Sequence, residues 1–208
     1  MNQNVEQHCK ALRDTILNGM KGNPSKVIFD GKSKEKLSIE NVSNLEEKVP
    51  ILYRWLVKED ELNNIIKRIH DKHKHNLKST IDLNSLLRKS AKIVGDTTYY
   101  ALYFGQSKNG QRRILSNHLR GTIHNSTLRR TLCGLCVKEK GTNDKEKEVN
   151  KILINSYFEW LSLPNTPQGQ VISLETICIA FGNYPLNIED NPAISNDWAK
   201  MLKEGRMK

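Results

Sequence analysis

The sequence predicts an α+β fold, with a small mixed three-stranded central sheet flanked by helices, a helical insertion and an N-terminal helix. Two observations lead there. Three short runs are rich in β-branched and aromatic residues, ILYRWLV at Ile51–Val57, TTYYALYF at Thr97–Phe104 and YFEWLSL at Tyr157–Leu163. Much of the chain between them places apolar residues at helical spacing. With 208 residues, 37% of them hydrophobic, there is enough apolar side chain for one domain with a core and too little length for two full ones.

In chain order, Val5, Cys9, Leu12, Ile16 and Met20 line one face of a helix that Gly22-Asn23-Pro24 ends. Lys26 to Phe29 reads as a short strand closed by the Asp30-Gly31 turn, and residues 32–48 as a charged loop with a turn of helix. The run at Ile51 puts Tyr53 and Trp55 on one face and Leu52, Arg54 and Leu56 on the other. Residues 58–93 then form a link with two helical segments, Asp60 to about His73 and Asp82 to about Lys92. Gly105 and the Lys108-Asn109-Gly110 turn end the second strand, and a helix starts near Gln111 carrying Arg112, Arg113, His118 and Arg120. After Gly121, Ser126 caps a second helix with Arg129 and Arg130 in its first turn. Lys138 to Lys147 reads as polar loop, Glu148 to Asn155 as helix, and Pro164 stops the third strand. Pro167, Gln168 and Gly169 read as loop, and Ser173 as the cap of a helix that turns Leu174, Ile177, Cys178 and Phe181 to the core and leaves Glu175 at the edge. A last helix, Asn196 to about Lys203, docks through Trp198 and Leu202.

The charge is strongly unbalanced. A net charge of +10 and a pI near 9.4 favour a polyanionic partner, because clustered Lys and Arg release counterions when they meet nucleic acid. Two arginines in a first helical turn oppose the macrodipole by roughly 0.3–1 kcal/mol each, which points to an anion nearby. The chain has neither an apolar signal core nor a run long enough to span a bilayer, so no membrane role and a cytoplasmic location are expected. Cys9, Cys133, Cys136 and Cys178 read as free thiols in apolar helical patterns, the Cys133/Cys136 pair lacking a second pair to complete a zinc site. His70, His73 and His75 read as a solvated basic helix end.

Tyr103-Phe104-Gly105, followed by Ser107, Asn109 and Arg113, resembles the second half-motif of the GIY-YIG nuclease family, in which a strand ends in Tyr-Ile-Gly and the next helix presents an arginine. Ile51-Leu52-Tyr53 is similar to the first half-motif, with Ile51 where the family usually has glycine. Leu174-Glu175-Thr176-Ile177 and Pro185-Leu186-Asn187 resemble the family's glutamate-bearing helix and its closing segment. The resemblance divides the chain into an N-terminal helix and extension (1–48), a nuclease domain (49–192) with an insertion at 58–93, and a helical tail (193–208).

It implies a metal-dependent endonuclease that hydrolyses DNA, double-stranded above all, as a stand-alone restriction-like enzyme; a homodimer is left open. The implied catalytic residues are Tyr53, Tyr103, Arg113, His118 and Glu175. Glu175 would hold one magnesium or manganese ion, since a hard cation prefers carboxylate oxygen and keeps most of its waters. Arg113 would contact the scissile phosphate with its planar fork, and one of the two tyrosines would take up or relay the proton of the attacking water. Lys108, Arg112, Arg120, Arg129, Arg130 and Asn187 are the expected nucleic-acid contacts, Asn187 also supporting the site. A binding module that keeps the fold without cleavage, or a repair or mobile-element nuclease, are the alternative roles.

Overall fold

The computed structural model describes residues 3–20, 22, 24–31, 36–74, 77, 81–138 and 141–207. In order these form α1 (Gln3–Gly19), β1 (Ser25–Phe29), β2 (Leu37–Ile39), β3 (Ile51–Lys58), α2 (Glu59–His73), α3 (Leu83–Arg88), β4 (Ala91–Val94) and β5 (Thr97–Ser107). A π-helix (Arg112–Leu119), α4 (Thr127–Cys136), α5 (Thr142–Leu153), β6 (Ser156–Ser162), α6 (Gln168–Ala180) and α7 (Asn196–Met207) follow.

The strands make one six-stranded sheet in the order β2-β1-β6-β3-β5-β4, every pairing antiparallel. The expected three strands are its centre, but the sheet is neither three-stranded nor mixed. Two of the extra strands lie where the sequence reads as loop or helix. β2 is too short to show a period of two. β4 was hidden because the helical pattern from Asp82 was carried through to Lys92; α3 stops at Arg88, and Gly95, at φ +56°, turns the chain into a hairpin with β5. Two helices also start earlier than expected, α5 at Thr142 and α6 at Gln168, directly after Pro167. Ser173 is therefore inside α6, where its hydroxyl donates to the Gly169 carbonyl.

β3 is buried along almost its whole length because each face of the sheet has its own core. Tyr53, Trp55 and Val57 meet α2, α4, α5 and α7 on one side, while Leu52, Leu56 and Phe104 meet α1 and α6 on the other. Glu159 is buried on the second side, in ion pairs with Arg54, its opposite in the β3–β6 register, and with Lys92. The 58–93 insertion belongs to the main core: Leu62, Ile65, Ile66 and Ile69 of α2 are buried in it. The C-terminal tail is likewise structural, with Trp198 and Leu202 buried and Gly205 against Gly134 of α4 so closely that a Cβ at position 134 would stand 2.3 Å from the Gly205 carbonyl oxygen.

Cys136 and Cys178 are buried thiols that burial pushes up to about 12, and all four cysteines are free. His75 lies outside the described residues. Among the described residues, no group of three or more His, Cys, Asp or Glu side chains is placed to hold an ion, and no helix is long and apolar enough to cross a membrane.

Candidate active site

Tyr103 reaches the site because β5 breaks its own alternation. Tyr100 and Leu102 face the main core and Tyr99 and Ala101 the other, but the register slips between Trp55 and Leu56, and Tyr103 turns to the same side as Leu102. Such a bulge re-aims one side chain without ending the strand. Tyr103 thereby joins Tyr53, the ring centroids lying 6.3 Å apart. Tyr53 is paired with Gly105 and its ring lies over it: a Cβ at 105 would sit 2.5 Å from the Tyr53 hydroxyl. The glycine of the Tyr-Phe-Gly motif is thus required by the phenol opposite it. Ile51, at the position where the family usually has glycine, finds its space over Gly110, whose missing Cβ would lie 2.8 Å from the Ile51 side chain.

The next segment supplies the cation and the imidazole. Asn109 caps it, its Oδ1 accepting from the Arg112 N–H at 2.9 Å. The helix is π-wound, ending with the Arg120 N–H on the Leu115 carbonyl, so residues five apart come to lie one turn apart. Arg113 and His118 are such a pair, and both reach the Tyr53 hydroxyl: Arg113 Nε donates to it at 3.2 Å and His118 Nε2 lies 2.7 Å away. Arg113 and Tyr103 also act on each other electrostatically. The far side of the imidazole, Nδ1, is 2.7 Å from Ser126 Oγ, which caps α4 by accepting from the Arg129 N–H at 3.1 Å. His118 and Ser126 are fully buried.

Glu175, partly buried on α6, feels the Gln106 backbone N–H and the charge of Arg113, both of which favour its ionised form. It acts electrostatically on both Tyr53 and Tyr103. Asn187 is buried and not placed as a nucleic-acid contact; its amide clasps β5 beside Tyr103, with Oδ1 accepting from the Phe104 N–H and Nδ2 donating to the Phe104 carbonyl, both at 2.9 Å.

The six expected binding residues separate accordingly. Lys108 and Arg112 are exposed and Arg130 half-buried at the start of α4. Arg129 is 2% exposed, held by the His118 carbonyl, Glu146 and Asn150, and Arg120 is tied to Asp30 and the Leu37 carbonyl. The Arg129 guanidinium is occupied within the fold because α4 packs its first turn inward, whereas Arg120 is exposed and its ion pair with Asp30 lies at the surface. Two residues at the site escaped sequence reading. Ser126 was legible as a cap but not as the partner of His118. Arg206 of α7, which influences Tyr103, gave no signal beyond a Gly-Arg pair in an amphipathic helix.

The electrostatics follow from burial. Burial holds the Tyr53 phenol well above its ordinary value, with neighbouring Tyr103 adding and Arg113 opposing; Tyr103 is raised for the same first reason. Burial, then Arg113 and Arg129, push His118 well below its ordinary value, so the imidazole is neutral. Burial raises Glu175 to about 7 against the pull of the Gln106 N–H and Arg113. Burial disfavours the charge on Arg113, but the two phenols outweigh it and raise its pKa.

An antiparallel α+β domain that gathers two phenols, an imidazole and an arginine on one side of its sheet, with the Glu175 carboxylate of α6 acting on them electrostatically, has the groups that phosphoryl chemistry uses. A family model described as the GIY-YIG catalytic domain matches residues 51–208, through the end of α7. The chain belongs to the GIY-YIG nuclease family. Comparison with curated proteins and with solved structures gives no match.

Proposed function

We propose that the protein is a metal-dependent endonuclease that hydrolyses phosphodiester bonds of double-stranded DNA. The observation that carries this reading is the chain Arg113, Tyr53, His118, Ser126, joined by contacts of 3.2, 2.7 and 2.7 Å. With its pKa raised by burial, Tyr53 is no standing phenolate, so it can accept a proton from water only as it gives up its own. Two tautomers of neutral His118 fit its contacts. With the proton on Nδ1, directed to Ser126 Oγ, Nε2 is the acceptor of the Tyr53 proton. Tyr53 is then the relay and His118 the terminal base; burial weakens that base first and the Arg113 charge second, and a bound phosphate offsets the second.

Arg113 holds the phosphate and stabilises the charge that develops on it. Glu175 fits a divalent cation: it is a desolvated carboxylate with a pKa of about 7, where burial and the neighbouring Asp190 and Glu189 outweigh the Arg113 charge, and a carboxylate ligand suits a hard ion that keeps its waters. When bound, the ion supplies Lewis-acid stabilisation of the leaving oxygen. The net charge of +10 supports nucleic acid as the substrate class. Incubating purified protein with supercoiled plasmid, with and without magnesium or manganese, tests the reading. Nicked or linear product that appears only with metal is expected, and intact plasmid under every metal condition would overturn it.

A further inference from the structure

The C-terminal helix brings a second cationic element to the site. The Gly134/Gly205 contact lets α7 approach α4 closely enough for Arg206 Nε to donate to Thr131 Oγ1 at 2.7 Å and Arg206 Nη2 to the Leu186 carbonyl at 2.9 Å. The Leu186 segment is docked on β5 on both sides of Tyr103. The Leu186 N–H donates to the Leu102 carbonyl at 2.9 Å, and the neighbouring Asn187 clasps Phe104. The guanidinium of Arg206 therefore stands one residue removed from the strand that carries Tyr103. Arg130, whose Nη2 donates to the His124 carbonyl at 2.6 Å, is close enough to repel it. Among the described residues, neither arginine has a carboxylate ion-pair partner; both are held by neutral oxygens. Two half-buried cations are thus placed together with no ion pair at contact distance among the described residues, the Glu189 carboxylate acting on Arg206 only from further off, and they have room for an anion of their own.

We propose that Arg206 and Arg130 form a second phosphate subsite, which holds the backbone phosphate adjoining the one at Arg113. This rests on the nuclease reading and extends it: the substrate is a continuous strand with charge on a flanking phosphate as well as on the scissile one. Arg206 is a substrate-positioning residue, so its loss shows in KM more than in kcat. Burial pulls its pKa below the ordinary arginine value, in keeping with a cation already partly stripped of water.

The test uses a duplex oligonucleotide whose cut position is first mapped with wild-type protein, and then single methylphosphonate substitutions, each neutralising one phosphate near the cut. One flanking position should raise wild-type KM by about 10- to 100-fold, the range for losing a hydrogen bond to a charged group. Arg206→Ala should raise KM similarly on the all-phosphate duplex and be insensitive to that one substitution, while Arg206→Lys recovers part of the loss. The salt slope of metal-free binding should fall by about one. Should Arg206→Ala fail to fold for want of its ties to α4, Arg130→Ala and the wild-type scan carry the test. Arg206→Ala or Arg130→Ala with wild-type KM and salt slope, or a scan in which no flanking phosphate matters, overturns the subsite and leaves the nuclease reading standing. A wild-type protein that cuts no duplex removes both.

Discussion

Replacing Glu175 by Gln should stabilise the metal-free protein while abolishing its turnover, and the size of the first effect follows from the burial of the carboxyl. A pKa raised to about 7 from an ordinary 4.5 means that ionising Glu175 costs on the order of 3 kcal/mol more in the folded than in the unfolded chain. Partial exposure of the side chain trims this to roughly 2 kcal/mol, or about 4–8 °C in Tm for a domain of this size. The sign depends on pH. Below the unfolded value both side chains are neutral and the variants melt alike; as pH rises to about 7 the wild type loses the contribution and Glu175→Gln does not, so the gap opens through that window and is full above it. Thermal unfolding in EDTA from about pH 4 to about pH 8 measures it. Magnesium should then raise the wild-type Tm near pH 8 and leave that of Glu175→Gln unmoved, since the amide supplies no charge for the ion. Melting curves that stay parallel across the pH range, or an equal response of both proteins to magnesium, would refute the assignment of Glu175 as a desolvated metal ligand.

Other perturbations separate chemistry from architecture. Tyr53→Phe removes the relay and leaves buried His118 Nε2 and Arg113 Nε without that partner, so cleavage should fall by orders of magnitude and stability by about 1–3 kcal/mol, while metal-free DNA binding holds near wild type in gel-shift titrations. Gly105→Ala places a methyl 2.5 Å from the Tyr53 hydroxyl; the ring has to turn away, and plasmid cleavage should drop toward the Tyr53→Phe level with an overpacking cost of about 1–3 kcal/mol. Ile65→Ala in α2, being a core truncation, should cost about 2–5 kcal/mol in urea unfolding, where an edge decoration would lose little.

The family's half-motifs are legible because they are local. Tyr53, Tyr103, Gly105 and Arg113 lie on or directly after strands whose β-branched and aromatic composition is plain, and the Ser126 cap shows in the residue type alone. What stayed hidden depends on the partner rather than on the segment. A three-residue strand such as β2 has no period to detect, and the exchange of bulk between Ile51 and Gly110 shows only once the two are in contact. The inward turn of Arg129 was likewise invisible, because an arginine in a helical first turn looks the same in sequence whether it meets Glu146 or a phosphate.

His118 shows how one local geometry can decide a functional assignment. On an α-helix, residues 113 and 118 are about 140° apart around the axis at 3.6 residues per turn, which by spacing alone makes His118 a weak partner for Arg113. The π-winding of Arg112–Leu119 narrows that angle and sets both side chains against one hydroxyl. π-turns are rare and are frequent at functional sites. Here the winding does two things that an α-helix could not do together: it seats Ile114 and Leu115 in the core and points residues five apart at Tyr53. The same segment ends in the Arg120 N–H bond to Leu115 and leads to Ser126, which fixes the other face of the imidazole. The arginine, the imidazole and the group that orients the imidazole therefore come from 14 consecutive residues, Arg113 to Ser126, while β3 brings Tyr53, β5 Tyr103 and α6 Glu175.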